Sequence, residues 1–328
     1  MNYSINKGNI SVALLSIIAL VFAIGGFGLG YLTLSNPSPE EVLHNMMASV
    51  SSLNSFSPSV SVKTETVSDK EKSTTSYNAS IDLDISDPGN GQFRASLNSQ
   101  GGSEELPLSI NAQIILKDKI YYLKIDSGTS IGPFSLDSIA DQWVKFDTQK
   151  ASDKSAISSI GLVNIPTSTT LEITSQEMSQ FRELIKNAFI FKDIVDLGKE
   201  EINGVKTYHY GFVPDDAALD LFTKESAKLL HSEYQPKSAS TSEDLFSQAR
   251  FEIWMGTKDY LPRKMTVAGL VKDTEKGNVS GSAVLTFSNF NSIPPIQAIA
   301  DAKPIEEVLE SLLNSLFSGF NTSSSNKQ

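Results

Sequence analysis

Three histidines, His44, His209 and His231, are the only imidazoles that this chain offers for metal binding or acid–base chemistry. They fall in a predicted helix, a predicted strand and a second predicted helix, and no two of them have the spacing of a metal-binding motif. His209 lies between Tyr208 and Tyr210, so its side chain is predicted to face away from both tyrosines. The sequence therefore disfavours a metal site and predicts a partly exposed strand residue at His209.

Two carboxylate pairs are the remaining candidates for catalysis. Asp82 and Asp84 alternate with apolar residues, which places them on the solvent side of a strand, and Asp215 and Asp216 precede a helical pattern. A pair that hydrolyses a substrate needs a set separation across a cleft, which neither position indicates. The chain has no cysteine, no serine-hydrolase or zinc-protease motif and no phosphate-binding loop. We therefore expect no enzymatic activity and no cofactor, and keep a hydrolase-type enzyme as a third hypothesis.

The N-terminal region is the most apolar part of the chain. Residues 11–34 form an uncharged run of about 24 residues, enough helix to cross a hydrocarbon core of about 30 Å. This run is longer than the apolar region of a signal peptide, and no small-residue cleavage site precedes Pro37. Without a cysteine the chain has no site for a lipid anchor. The sequence predicts a transmembrane signal-anchor helix at residues 10–34.

The flanking charges predict the orientation of this helix. Lys7 stands on its N-terminal side, and Glu40 follows it. Because basic residues favour the cytoplasmic side, residues 1–9 are predicted to be cytoplasmic. The rest of the chain is then extracytoplasmic, in the cell envelope, and the protein is a single-pass protein of the cytoplasmic (inner) membrane.

The overall charge narrows the possible partners. The formal net charge is −11, which disfavours nucleic acid, whose affinity comes from lysine and arginine on phosphate, and also an anionic bilayer surface. Zero cysteines mean that the domain is held by its core and not by disulfides. We expect no nucleic-acid partner.

A capped helix is predicted to start the extracytoplasmic part. Ser38 is placed as its N-cap, Pro39 at its first position and Glu41 for a capping box, and Ser57-Pro58 is predicted to end it. From there to Asp147 the apolar period changes from 3.6 to 2, with turn signals at residues 87–91 and 117–119. Such alternation indicates antiparallel strands with one buried face.

The second half repeats this pattern around inserted helices. Helices are predicted at residues 176–188 and after Pro214, and an Asn-Gly hairpin turn at residues 203–204. The last strands are predicted at residues 251–255, 261–271 and 279–287. A C-terminal amphipathic helix at residues 304–320 has an acidic polar face, so it is expected to dock on the domain or on a partner helix. Residues 321–328 are predicted to be a disordered tail.

Two segments resemble the LolA/LppX-LprG-type lipoprotein-carrier superfamily. Residues 196–210 are similar to its "glycine, acid, Asn-Gly, Val, Tyr-x-Tyr" hairpin, and residues 251–264 to its "Ile-Trp, turn, Leu-Pro-Arg-Lys" strand pair. The likeness covers roughly residues 38–303, and the LolA/LppX-like domain is predicted at residues 35–303. It implies a half-open β-barrel with helices in the concave face, an apolar cavity for acyl chains, and no cofactor. This chain, with its predicted transmembrane helix, would be a membrane-anchored variant of the group. The other members diffuse freely or are anchored through a cysteine.

The sequence therefore predicts an α+β fold: a strongly curved antiparallel half-barrel sheet of about 10–11 strands with helices in its concave face, behind one transmembrane helix. The first functional hypothesis is binding of a lipid, a lipidated protein or another apolar ligand. The alternative is an envelope scaffold or protein-interaction module whose core is filled. The expected cavity residues are Met46, Met47, Val50, Tyr77, Ile81, Leu83, Trp143, Phe222, Ile253, Val267, Gly281, Ala283 and Leu285.

Overall fold

The computed structural model describes residues 37–310 of the chain with several gaps. The predicted membrane helix at residues 10–34, the N-terminal residues 1–9 and the tail at residues 321–328 lie outside the described residues. No helix in the part that is described is long and apolar enough to cross a bilayer. The described residues are 37–67, 72–102, 107–128, 140–147, 150, 173–230, 249–273, 277–308 and 310.

The described strands form one curved, unclosed sheet of 12 strands. Their order is β12-β6-β5-β4-β3-β2-β1-β11-β10-β9-β8-β7, and every neighbouring pair is antiparallel except β12 and β6. The strands are β1 (Ser55–Val67), β2 (Lys72–Asp84), β3 (Gln92–Gly102), β4 (Pro107–Lys117), β5 (Ile120–Gly128), β6 (Trp143–Asp147), β7 (Phe191–Ile202), β8 (Val205–Pro214), β9 (Arg250–Gly256), β10 (Pro262–Asp273), β11 (Gly277–Ser288) and β12 (Lys303–Pro304).

Two predicted hairpin turns are confirmed by their backbone geometry. Asp118 and Lys119 join β4 to β5 with φ values of 52° and 64°. Asn203 and Gly204 join β7 to β8 with φ values of 51° and 80°. Positive φ at both central residues is the type I′ geometry, whose twist matches that of the flanking strands.

In the described part of the chain, three helices of 12 residues or more accompany the sheet: α1 (Pro39–Val50), α2 (Ser175–Asn187) and α3 (Asp216–Leu229). Their N-caps are made by side chains, as Ser38 Oγ accepts from the Glu41 amide and Asp215 from two amides of α3. At α2, Thr174 and Glu177 form a reciprocal capping box. The α1 boundary differs from the prediction, because the helix ends at Val50 and Ser57-Pro58 lies inside β1.

All three helices pack on one face of the sheet, here called the inner face. Their apolar residues join the inner-face residues of β8–β11 and β1 in a single core. Arg182 of α2 links two helices, since its guanidinium donates to the carbonyl oxygens of Ser51 and Leu53 just beyond α1. Burial lowers the pKa of Arg182. These contacts satisfy backbone acceptors that α1 leaves open at its C-terminal end.

The chain returns across the opposite, outer face after β11. Ile296 and Ala302 of this return segment pack against Ile115 and Tyr122. β12 then pairs with β6, and the helical residues 305–308 follow. Two residues of this first helical turn are buried, and most of residues 304–320 lies outside the described residues. The buried pair is Ile305 and Val308.

Candidate functional site

The strand register brings apolar side chains from distant parts of the chain into rows across the inner face. One row runs through Met265, Leu285, Val60, Ala79 and Leu97, on five successive strands. Each pair in the row is directly opposite, so the side chains are cross-strand neighbours on the same face. The inner face is therefore one continuous apolar wall from β8 to β6.

The helix-covered part of this wall is densely filled. Most of the residues that the sequence nominated for a cavity lie here, and four of them have no exposed surface. Leu83 and Val267 are partly buried at the edge of the same cluster. The nominated residues within the cluster are Met46, Met47, Val50, Phe222, Ile253, Ala283 and Leu285.

The part of the wall on β2–β5 is more open. Tyr77 and Ile81, nominated from the sequence, are half-buried here, and Leu97 is 39% exposed. Burial nevertheless raises the pKa of the Tyr77 and Tyr121 phenols, because the apolar surroundings disfavour a phenolate. The other half-buried apolar residues of this open wall are Leu83, Phe93, Ile114, Leu116, Tyr121 and Leu123.

The open wall is also uncharged. Among the residues that the structure describes, every inner-face position of β1–β6 holds an apolar, hydroxyl-bearing or glycine residue. Charged side chains of these strands lie on the outer face, where Asp82 binds Arg94 and Lys124 lies 2.8 Å from Asp126. An apolar ligand can bind to an uncharged wall without desolvating charged side chains. The same wall offers no counter-charge to an ionised ligand.

One end of the inner face has little side-chain volume. Gly269, Gly281, Thr64 and Thr75 follow one another across β10, β11, β1 and β2. A Cβ built on Gly281 would lie 3.8 Å from the Lys63 carbonyl oxygen, an ordinary contact distance. Gly281 has a φ that any residue can adopt, so its small size and not its backbone freedom distinguishes it.

Trp143 does not belong to this wall, contrary to the sequence-based nomination. It pairs with Lys124 and packs with Ile120 and Tyr122 under the return segment on the outer face. Its strand, β6, is only five residues long. In so short a strand the alternation of apolar and polar residues fits both the inner and the outer face. The sequence therefore could not show on which face the Trp143 side chain lies.

The candidate catalytic groups do not converge on the inner face. His209 faces away from Tyr208 and Tyr210 as predicted, but it is buried (7% exposed) and not partly exposed. Its two ring nitrogens lie against Glu200 and Glu252. No group of three or more metal-ligating side chains occurs in the described ranges. The alternation of Glu252 with Ile253 along the strand did not enter the sequence-based prediction. This alternation places the Glu252 side chain on the same face of the sheet as His209.

Several solved structures are similar to this chain over most of its length, at low sequence identity. The chain is similar to LprF from Mycobacterium bovis, with 15% identity, coverage of 80% of this chain and 99% of that chain, and a TM-score of 0.40. It is similar to the Mycobacterium tuberculosis lipoprotein LppX, with 13% identity, coverage of 80% and 100%, and a TM-score of 0.33. A putative outer membrane lipoprotein-sorting protein domain from Vibrio parahaemolyticus matches with 10% identity, coverage of 78% and 91%, and a TM-score of 0.17.

LppX is a member of the group that the two sequence motifs resemble. No sequence family matches the chain. No curated protein matches it either.

Proposed function

We propose that this protein is a membrane-tethered, extracytoplasmic domain whose inner face binds an acyl chain of a lipid or of a lipidated protein. The observation that carries the proposal is the open wall on β2–β5, where an apolar, uncharged surface is only half-buried. Water wets such a surface poorly, and an acyl chain gains roughly 0.8 kcal/mol for each methylene that it buries. The wall needs no chemistry from side chains, which fits a non-catalytic role.

The small-residue end of the inner face supplies room next to this wall. Gly281 of β11 lies opposite Thr64 of β1, and a Cβ built on Gly281 would meet nothing closer than 3.8 Å, so side chains there occupy little space. In this proposal an acyl chain lies over Gly281 with its flank on Tyr77 of β2, which pairs with Val62 of β1. In this arrangement the sheet is the half-barrel, and the three helices close one side of its concave face.

The proposed membrane tether is supported by the apolar run at residues 10–34 and by the short distance in sequence between this run and α1. Residues 10–34 are proposed to span the cytoplasmic membrane with the N-terminus in the cytoplasm, and α1 begins at Pro39. The domain is then held within a few residues of the outer leaflet. A domain held in this way can present, shield or sense a lipid at the membrane surface, and it does not carry one between distant membranes.

A scaffold or protein-interaction module remains the second candidate. The observation that favours it is the filled core under the helices, where Met46 and Met47 have no exposed surface. In this case another part of the chain or a protein covers the open wall. The C-terminal helix, with Glu306, Glu307 and Glu310 exposed, would then be the first place to seek a partner.

Native mass spectrometry with lipid extraction separates the two candidates. The chain from residue 36 to residue 328 is purified without detergent, beside Gly281→Leu and the control Ser282→Leu, which places the same side chain on the exposed outer face. Lipid binding predicts near-stoichiometric co-purifying lipid that Gly281→Leu removes and Ser282→Leu keeps. A folded protein that carries no lipid and takes up none from vesicles supports the scaffold.

A further inference from the structure

His209 lies at the centre of a polar cluster on the outer face. Its Nδ1 lies 2.9 Å from Glu200 Oε1 of β7, and its Nε2 lies 3.1 Å from Glu252 Oε2 of β9. The imidazole stacks on the Trp254 indole at a centroid distance of 4.0 Å. Trp254 Nε1 donates to Glu200 Oε2 at 3.1 Å, so the two aromatic rings bind the same carboxylate. These four side chains are called the imidazole cluster below.

The positions of the two carboxylates determine which protonation state of His209 can form hydrogen bonds through both ring nitrogens. An ionised carboxylate only accepts hydrogen bonds, and a neutral imidazole has a single N–H. An imidazolium, with two N–H groups, donates to Glu200 and Glu252 together. The hydrogen bond from Trp254, and then the nearby His209 and Lys264, hold the pKa of the Glu200 carboxyl below its usual range, which keeps this acceptor ionised.

The cluster joins the last strand of the sheet to its two neighbours. β7 pairs only with β8 among the described strands, and its register is irregular on both sides of Val195 and Asp196. Glu200 reaches across β8 to the indole of β9, so the cluster adds side-chain bonds where the backbone ladder is weakest. β7 also supplies Phe191 and Ile194 to the core that contains the helices.

We propose that protonated His209 acts as a pH-sensitive lock that holds β7 on the sheet while both ring nitrogens donate to carboxylates, and that loosens β7 when the imidazole loses a proton. The groups facing the imidazole are Glu200 from β7, Glu252 and Trp254 from β9, and Lys264 from β10, whose Nζ lies 4.3 Å from the indole centroid. Each ring nitrogen faces a carboxylate oxygen, an arrangement that an imidazolium satisfies with both of its N–H groups. After deprotonation one ring nitrogen presents a lone pair to a carboxylate, and one charge-assisted bond becomes a repulsion.

This inference concerns the sheet edge and is independent of any ligand on the inner face.

Two measurements on the full-length chain in detergent micelles test the lock. ¹⁵N NMR of histidine-labelled protein reports which ring nitrogens carry protons, and His209→Gln assigns the signals. Hydrogen exchange, corrected for intrinsic base catalysis, reports opening of β7, with β5 as the internal reference. We expect both His209 nitrogens to be protonated at about pH 6, and protection of β7 relative to β5 to fall about tenfold by about pH 8.5.

Matched variants make the result specific. In Glu252→Gln the amide bonds a neutral imidazole, so the fall in protection should shrink to less than about twofold. Glu201→Gln, a neighbouring glutamate that pairs with Lys206, should retain the full fall. A singly protonated His209 at about pH 6, or the same fall in Glu252→Gln and in His209→Gln as in the natural chain, overturns the proposal.

Discussion

Replacing neighbouring residues of β11 tests the assignment of its two faces. Leu285 has no exposed surface and lies opposite Val60 and Met265 in the core. Removing a fully buried leucine side chain to alanine costs about 3 kcal/mol, from lost transfer free energy and the cavity that remains. Val284, the preceding residue, is 37% exposed on the outer face. Its truncation removes two methyl groups, which at this exposure is worth about 1 kcal/mol.

The assay is urea unfolding of residues 36–328, followed by the fluorescence of buried Trp254. Leu285→Ala should lower the free energy of unfolding by about 2 kcal/mol more than Val284→Ala, about thirtyfold in the equilibrium constant, with an unchanged slope in urea. Equal losses in the two variants, or a larger loss for Val284→Ala, would refute the proposed register of the inner face.

Three further predictions concern local features. Thr174→Ala removes the reciprocal bonds with Glu177 and should cost about 1 kcal/mol in urea unfolding; an unchanged midpoint would show that the capping box contributes nothing. Arg182→Met leaves carbonyl oxygens beyond α1 without a donor and should cost about 2 kcal/mol, with faster hydrogen exchange confined to the α1–β1 junction. Burial raises the pKa of Tyr210, so unfolding exposes a phenol that ionises first; the contribution of this phenol to the free energy of unfolding should be constant below about pH 10 and fall as the pH rises above it, and a rise there would contradict the burial.

The periodicity of the sequence predicted most of the fold because each element carries a strong local signal. The Asn203-Gly204 turn and the Asp215 cap are set by backbone requirements of their own residues. β1 was harder to recognise, since it begins only five residues after α1 and includes Pro58, a residue that usually marks an end. The short β12 forms only through its parallel pairing with β6, which no local pattern contains.

The candidate site was predicted only where burial follows from alternation. Met46, Ile253 and Leu285 belong to strongly periodic segments and lie in the core as their pattern indicates. The difference between the closed and open parts of the wall depends on which strands the helices cover. This difference depends on tertiary packing. The alternation of apolar and polar residues, for example around Tyr77, is the same in strands that the helices cover and in strands that they do not. The contacts of His209 likewise come from three strands in register, so they could not be predicted from the sequence of any one strand.

Photo-crosslinking tests the central proposal most directly. Full-length protein is placed in vesicles of a phospholipid that carries a diazirine within one acyl chain, irradiated, digested and mapped by mass spectrometry. Binding on the open wall predicts crosslinks to inner-face residues such as Tyr77, Ile81 and Leu97, and their loss on adding unlabelled lipid. Crosslinks restricted to the segment before Pro39, with none on β2–β5 after saturating labelled lipid, would contradict the proposed binding of an acyl chain on the inner face.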